Sequence, residues 1–430
     1  MGSPWIRRRT ELREASCRKS LCLALLLLPL LVAAEPSISS NPPRAKPEEV
    51  GFSSERLQRI DGAIQRNIDD GQVAGAVALV ARKGRVVYFE TRGMVDVEAK
   101  KPMHRDAIFR MASSTKPVTG VAIMMLMEEG KVRLTDPVSR FIPEFKDMKV
   151  AVTKAGESEP ELVTAKRAIT IQDLLTHTSG LGSGGPGSKD MGKLMRERKP
   201  TDTLADFIPR LAKLPLDFQP GTQWRYSGLA GMDTLGRIVE IASGQTYDEF
   251  LRHRIFEPLG MKDTFFVLPE DRESRFAPVY RRTAKGLEKA NMPREWFGKT
   301  YFSGAGGLVS TAEDYFRFGQ MLLNGGELNG KRLLGPRTVK LFASNHVGDL
   351  FANQLGRTQG LGFGFGVEVV RDANKAGWRR SNGSYGWDGA LGTTFVVDPK
   401  ENMVLVLMMQ THSRTLHRDF ENAVMQAIIE

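Results

Sequence analysis

A chain of 430 residues, 41% hydrophobic, carries enough apolar material for a large core. Both of its cysteines, Cys17 and Cys22, fall within the first 34 residues, so the remainder excludes a disulfide framework, thiol catalysis and cysteine-based metal sites. The net charge is +11, and residues 1–34 hold six Lys/Arg against two Asp/Glu, leaving +7 spread without a basic block or interleaved aromatics, which excludes a nucleic-acid footprint.

The chain begins with a basic stretch, "MGSPWIRRRTELREASCRKS", followed by the apolar "LCLALLLLPLLVAA" (21–34). Val32-Ala33-Ala34 places small residues where a signal peptidase cuts. The apolar run is about a dozen residues, short of the ~20 needed to span a bilayer, and it contains Pro29. Residues 1–34 are therefore expected to be a signal peptide cleaved after Ala34, with an uncleaved anchor as the rival. Arg7-Arg8-Arg9 suggests a twin-arginine route only weakly, because Thr10-Glu11 follows where apolar residues are wanted. The expected location is secreted or periplasmic, with no stable membrane span after cleavage.

Residues 35–47 are Pro- and Ser-rich and predict an extended lead-in. "SSERLQRIDGAIQRNIDDG" predicts a helix, with a serine cap, Leu57, Ile60, Ile64 and Ile68 at helical spacing, and a terminal glycine. "AGAVALVARKG" and "RVVYFETRG" predict a hairpin turning at Lys83-Gly84. "VTGVAIMMLMEEGKV" is apolar almost all round, the pattern of a buried helix. From about 131 to 354, helical patterns ("TIQDLLTH", "TLADFIPRLAKL", "AGMDTLGRIVEIAS", "STAEDYFRFGQMLLNG") alternate with Gly/Pro-rich loops, and "LGSGGPGSKDMG" reads as mobile. After about 355 strands return ("FGFGVEVV", "TTFVVDP", "NMVLVLMM"), ending in the helical "TLHRDFENAVMQAIIE". The expected fold is α/β of the α+β type. One antiparallel sheet is assembled from both chain ends (about 48–130 and 355–430), flanked by helices, with a mostly helical region (131–354) inserted into a single 48–430 domain.

The chemistry concentrates in "FRMASSTKPVT" (109–119). Proline is tolerated only in a helix's first turn, so Pro117 pins the helix start to about 112–116. Ser113 then sits at the N-terminal end, among free N–H groups, with Lys116 one turn on along the same face. A lysine ahead of a wholly apolar helix is expected to be partly buried, which suits it to accept a proton. The bare S-x-x-K pattern is weak: roughly one or two chance matches are expected in such a chain, and Ser16-Cys17-Arg18-Lys19 is one. A capped helix with a snorkelling lysine fits the spacing equally. Tyr226, in Tyr226-Ser227-Gly228, stands at a loop-to-helix junction where it could share a proton with a serine and lysine, or be a half-buried core tyrosine. Trp387-Asp388-Gly389-Ala390 leads into a strand whose N–H could donate to an oxyanion, or is an ordinary turn with a packing tryptophan.

Taken in this order, with "LLTHTSGL" (174–181), "PGTQWRYS" (220–227), "IFEPLGMKDTFF" (255–266) and "GAGGLVSTAEDYFRF" (304–318), these elements resemble the class C β-lactamase-like serine hydrolases of the penicillin-recognising superfamily. Within it they look most like the family VIII carboxylesterases, over roughly 48–430. The resemblance implies Ser113 as the acylated nucleophile, Lys116 as its base, Tyr226 sharing acid and base duty, and the N–H groups of Ser113 and Ala390 as oxyanion-hole donors. It implies no cofactor. Two departures matter. The third position of Tyr-x-Asn is Gly228, and Lys-Thr-Gly is absent, with Trp387-Asp388-Gly389 in its place where the esterases carry Trp-Gly-Gly. Lys375-Ala376-Gly377 lies in a turn-like stretch and lacks the hydroxyl. Trp387, Asp388, Gly389 and Gly228 are thus expected to shape substrate binding, with the Asp388 charge disfavouring anionic acyl groups.

No G-x-S-x-G occurs, which excludes an α/β-hydrolase elbow. The six histidines form no H-x-x-x-H or H-E-x-x-H pair, so no metal site is expected. His177 reads as a structural histidine packed near the site, and the Asn382-Gly383-Ser384 sequon is discounted. The expected activity is hydrolysis of small short-chain carboxylic esters through an acyl-enzyme on Ser113, with weak cephalosporin hydrolysis left open. The alternatives are a β-lactamase or D-alanyl-D-alanine carboxypeptidase, and a non-catalytic peptidoglycan-binding protein. The expected partner is a small-molecule ester or lactam; oligomeric state is not legible.

Overall fold

Two residues explain how the sheet starts. Lys83 and Gly84 both take positive φ (52° and 72°), the backbone a two-residue hairpin needs to match strand twist. They join β1 (Gly75–Arg82) to β2 (Arg85–Asp96), as the sequence predicts. The structure is a computed structural model that describes residues 42–430 apart from 155, 158, 353 and 355–358. The leader and the first part of the lead-in lie outside the described residues. Residues 43–45 run beside β2, with Ala45 N–H donating to the Val86 carbonyl at 3.1 Å.

Six more strands complete one antiparallel sheet: β3 (Lys101–Pro102), β4 (Leu361–Phe363), β5 (Glu368–Val370), β6 (Tyr385–Asp388), β7 (Thr393–Asp398) and β8 (Met403–Met409). Their order is β4-β5-β6-β7-β8-β1-β2-β3, so the chain's two ends meet where Leu79 of β1 pairs with Val406 of β8. "FGFGVEVV" forms two strands rather than one. Gly366 adopts φ 84° and the Gly364 N–H bonds back to the Val367 carbonyl at 2.8 Å, which folds the run into a tight hairpin.

Every residue of β1 and β8 is buried, because the sheet is covered on both faces. On one face Ala76, Ala78, Val80, Leu405 and Leu407 pack under α1 (Arg59–Asp69) and the C-terminal helix α6 (Arg414–Met425). On the other, Val77, Leu79, Val404 and Val406 join the main core with α2 (Lys116–Glu128) and α5 (Ala312–Leu323). The strict alternation follows from the two-residue period of a strand. Helix α2 is buried continuously from Lys116 to Leu126, as its all-round apolar pattern requires. Each buried Val, Ile, Met or Leu among them is worth about 1.5–3 kcal/mol of transfer free energy.

The inserted region contributes α3 (Ile171–Leu175), capped by Thr170, and α4 (Ala230–Ser243), which packs on α2. It also holds two hairpins, Lys149–Val152 with Glu161–Thr164 and Tyr280–Thr283 with Gly286–Lys289, too short and too exposed to show a period in sequence. The Gly-rich loop read as mobile is tied down. Asp217 accepts four hydrogen bonds of 2.6–2.8 Å, from the N–H and hydroxyl groups of Ser183 and Ser188. Among the described residues no helix is long and apolar enough to cross a membrane.

Candidate active site

Residues Ala112–Thr115 form a tight 3₁₀ turn that runs directly into α2, so Pro117 sits in the first turn as expected. The residue before the nucleophile position, Ala112, is held at φ 46°, a conformation that costs an L-residue about 1–2 kcal/mol. Such strain persists only where the surroundings over-determine the backbone. Here they do. Met111 N–H donates to the Leu308 carbonyl (2.9 Å) and its own carbonyl accepts from the Thr393 hydroxyl (3.0 Å). Ser114 Oγ lies 3.0 Å from Thr393 Oγ1, the Tyr315 hydroxyl donates to the Ser114 carbonyl, and Thr115 Oγ1 accepts from Leu308 N–H (3.2 Å). Ser114 and Thr115 are fully buried and lace the turn to β7 and to the 303–310 segment; Ser113 is left facing the cavity.

Lys116 is fully buried, and its ammonium nitrogen has three neighbours: Ser113 Oγ at 3.2 Å, the Gly228 carbonyl at 2.8 Å and the Ala305 carbonyl at 2.8 Å. A carbonyl can only accept, so two N–H bonds must point at Gly228 and Ala305. In the neutral amine the remaining tetrahedral position is the lone pair, and it faces Ser113 Oγ. The Ala305 side of this clamp is anchored by Asp233, near the start of α4. Its buried carboxylate accepts from the Tyr301 hydroxyl (2.8 Å), the Ser303 hydroxyl (2.7 Å) and the Ala305 N–H (3.0 Å). Burial pushes the Asp233 carboxyl above its usual range, against the pull of those donors and of the Lys116 charge.

Tyr226 is half-buried, with Lys116 Nζ 5.0 Å from its ring centroid. Three rings hold it: His177 at 4.7 Å, Trp387 at 5.6 Å and Trp224 at 6.3 Å. His177 is the structural residue expected. It is buried at φ 57°, its Nδ1 accepts from Ser227 N–H (3.3 Å), and burial with the nearby Lys116 charge holds the imidazole well below its ordinary pKa. The ring is therefore a neutral shelf under Tyr226.

The third element lies across the cavity from α2. A Cβ added to Gly389 would fall 2.3 Å from both the Met111 carbonyl oxygen and Thr393 Oγ1, so only glycine lets β6 approach the nucleophile turn this closely. Gly389 is thus a buried spacer, while Ser113, Tyr226, Trp387, Asp388 and Ala390 all line one cavity of about 280 Å³. Gly228 is exposed, and its carbonyl belongs to the lysine clamp. Lys375 stands on an exposed short helix, Ala373–Ala376, beside Asp372.

The sequence reading missed Asp233, Ala305 and the Gly228 carbonyl. An acidic residue in an otherwise apolar helix face was the available signal for Asp233; backbone carbonyls leave none. It also missed that Asp388, His412 and His417 bring their ligand atoms within 4.8 Å of one another on the cavity wall.

Comparisons with known proteins place the chain in a family. Residues 60–428 match the family model described as Beta-lactamase. Protein Rv1367c of Mycobacterium tuberculosis (strain ATCC 25618 / H37Rv) is 36% identical over 375 residues, covering 84% of this chain and 92% of its own. Esterase EstB of Burkholderia gladioli is 32% identical over 377 residues, covering 82% and 90%. The structure of EstCE1, described as a hydrolase with promiscuous acyltransferase activity, superposes with a TM-score of 0.72 at 30% identity, covering 86% of this chain and 99% of that one.

Proposed function

We propose that this chain, which belongs to the β-lactamase family of serine hydrolases, cleaves small carboxylic esters through an acyl-enzyme on Ser113. The observation that carries the reading is the clamp on Lys116: two carbonyls take two of its N–H bonds and fix its nitrogen 3.2 Å from Ser113 Oγ, the position from which the neutral amine would accept the hydroxyl proton. In the first half-reaction Ser113 Oγ attacks the ester carbonyl carbon while its proton passes to Lys116. The N–H groups of Ser113 and Ala390 are assigned to the developing oxyanion. Collapse expels the alcohol, which takes the proton from the Lys116–Tyr226 pair. Water then attacks the acyl carbon as it gives a proton to the same pair, and collapse breaks the carbon–Oγ bond, returns that proton to Ser113 Oγ and releases the acid.

An ester is favoured over a lactam for three reasons. Gly228 offers no side-chain amide, the cationic Lys-Thr-Gly element is absent, and Asp388 places a carboxylate on the wall where a lactam's own carboxylate would lie. The modest cavity suits small acyl and alcohol groups. EstB and EstCE1, an esterase and a hydrolase by name, support the same class.

The test sets wild-type protein beside Ser113→Ala, with a chromogenic short-chain ester and a chromogenic cephalosporin. Wild type should turn over the ester far faster than the cephalosporin, and the variant should lose at least about 1000-fold on both. A variant that keeps the wild-type rate sinks the mechanism, and a cephalosporin rate above the ester rate gives the site to lactams. We further propose that residues 1–34 direct export and are removed after Ala34. A mature protein whose first residue is Glu35 is the expected result of N-terminal sequencing from expressing cells; an intact leader on exported protein overturns it.

A further inference from the structure

Three side chains that the hydrolytic scheme does not use converge on the wall of the cavity. Asp388 ends β6, His412 lies in the loop after β8, and His417 stands one turn into α6. Asp388 is distant in sequence from the two histidines; the β6–β7–β8 register brings it to them, with Asp388 paired to Thr394 and Thr393 to Met408. Asp388 Oδ2 and His412 Nε2 are 3.7 Å apart, and the ligand atoms of all three residues lie within 4.8 Å of one another. The two imidazoles stand nearly perpendicular, with centroids 5.2 Å apart. All three side chains are half-buried, open to an ion arriving through the cavity yet backed by protein.

We propose that Asp388, His412 and His417 form a binding site for a borderline first-row dication of the zinc type, placed on the wall of the cavity that contains Ser113. Ligand atoms around tetrahedral zinc, each about 2.0–2.1 Å from the metal, sit roughly 3.3–3.5 Å from one another. The observed spacing of up to 4.8 Å therefore needs a contraction of at most roughly 1.5 Å, within reach of side-chain torsions. Two imidazoles and one carboxylate select for zinc-like ions over calcium or magnesium, which demand six or more oxygens or near-octahedral oxygen shells. Arg414 and Arg418 line the same cavity, and their charges oppose a cation, so the affinity is micromolar rather than the nanomolar of a buried structural site. Three protein ligands leave a coordination position open toward the cavity. A bound ion there neutralises the Asp388 carboxylate and adds its charge to that of the nearby arginines, and so draws in esters whose acyl chain carries a carboxylate. The binding claim stands apart from the hydrolase reading; the effect on substrate choice rests on it.

The experiment titrates zinc chloride into chelator-treated full-length protein by calorimetry, with cobalt(II) absorption as a second signal. One equivalent binding with a micromolar Kd, and a visible cobalt band of tetrahedral intensity, are expected. His412→Ala and His417→Ala should each weaken binding at least about 10-fold, while His253→Ala, exposed on another face, should leave it unchanged. Equal melting midpoints show that the variants fold. Absence of one-to-one binding up to about 1 mM, or binding indifferent to the double His412/His417 variant, overturns the site. In the kinetic arm, zinc should raise turnover of a carboxylate-bearing ester relative to a neutral one several-fold in wild type and not in the double variant. An unmoved ratio with zinc bound overturns the effect on substrate choice. Failure of the hydrolase reading is distinguishable, because zinc-free protein would then turn over neither ester.

Discussion

The two sides of the cavity are built on different principles. On the side of α2, the groups that hold Lys116 are linked in a hydrogen-bonded series. Lys116 is held by two carbonyls, Ala305 by Asp233, and Asp233 by two hydroxyls and an N–H. On the side of β6 and α6, Trp387, Asp388, His412 and His417 are half-exposed, and Arg414 and Arg418 are exposed. Water screens the second side more than it does the buried groups behind Ser113. Proton transfer needs groups fixed to a few tenths of an ångström, which a buried, hydrogen-bonded network supplies. Selection among substrates needs a surface whose charge can change without disturbing the nucleophile, and a half-solvated wall supplies that. Substitutions on the α2 side should therefore alter the rate of chemistry for all substrates alike, whereas those on the wall should alter which substrate is preferred.

The sharpest test of that division is Asp233→Asn. The amide can keep its one oxygen on the Ser303 hydroxyl and the Ala305 N–H, which share Oδ1, but it turns an NH2 toward the Tyr301 hydroxyl and removes the charge, so the Tyr301 bond is lost and the anchor behind Ala305 and Lys116 is weakened. We expect kcat to fall about 10- to 100-fold, equivalent to roughly 1.4–2.7 kcal/mol, with KM nearly unchanged and the same factor for every ester. Asp233→Ala should be worse, because it strands all three donors. If the losses appear in KM, or differ between substrates, Asp233 supports the cavity in general and does not position the base.

The wall is probed by Asp388→Gly, measured in chelator-treated protein on a pair of esters that differ only in a terminal carboxylate on the acyl chain. Removing a like charge from the wall should lower KM for the anionic ester several-fold, on the order of 1 kcal/mol, and leave the neutral ester's kcat within about twofold. The gain should shrink as salt is raised, since the interaction passes through solvent. A change in kcat for both esters would mean that the wall and the α2 side are coupled, and the division would fail.

The same division separates what could be read in the sequence from what could not. Ser113 and Lys116 were legible because a proline and a helical step fix their relation locally, and α4 was legible residue for residue because its apolar period is strong. The sheet was legible as strands at both chain ends because β1 and β8 are uninterrupted apolar runs. The Gly228 carbonyl was not, since a glycine there reads only as the lack of an asparagine; a backbone acceptor has no side chain to announce it. His412 and His417 could not be assigned to Asp388, because an H-x4-H step without partner cysteines is a weak metal signal and the meeting with Asp388 depends on strand register. Gly389 reads by position as a substrate-binding residue; in the structure it is the buried glycine that lets two backbones come close.

His177 gives the mildest test, and one in which pH does the discriminating. Its imidazole is held well below its ordinary value of 6.5 by burial first and the Lys116 charge second, so it is neutral in the fold. In the unfolded chain it takes a proton as the pH drops below about 6.5. The folded state binds fewer protons in that window, so this residue's contribution is complete above pH 6.5 and is lost as the pH falls below it. Asp314, pushed up to about 7 by burial, and Asp233, raised for the same reason, act in the opposite sense and favour the fold as the pH falls. The wild-type curve alone therefore sums opposing trends, and a difference curve is needed. Asn tolerates the positive φ at position 177 and can accept from Ser227 N–H, so His177→Asn removes the titration with little backbone cost. Melting midpoints of the two proteins should differ by a constant offset above pH 7, from lost packing under Tyr226, and the offset should shift in the variant's favour between pH 6.5 and 5. A difference that stays flat across that range would mean that the shelf under Tyr226 is not a buried neutral imidazole.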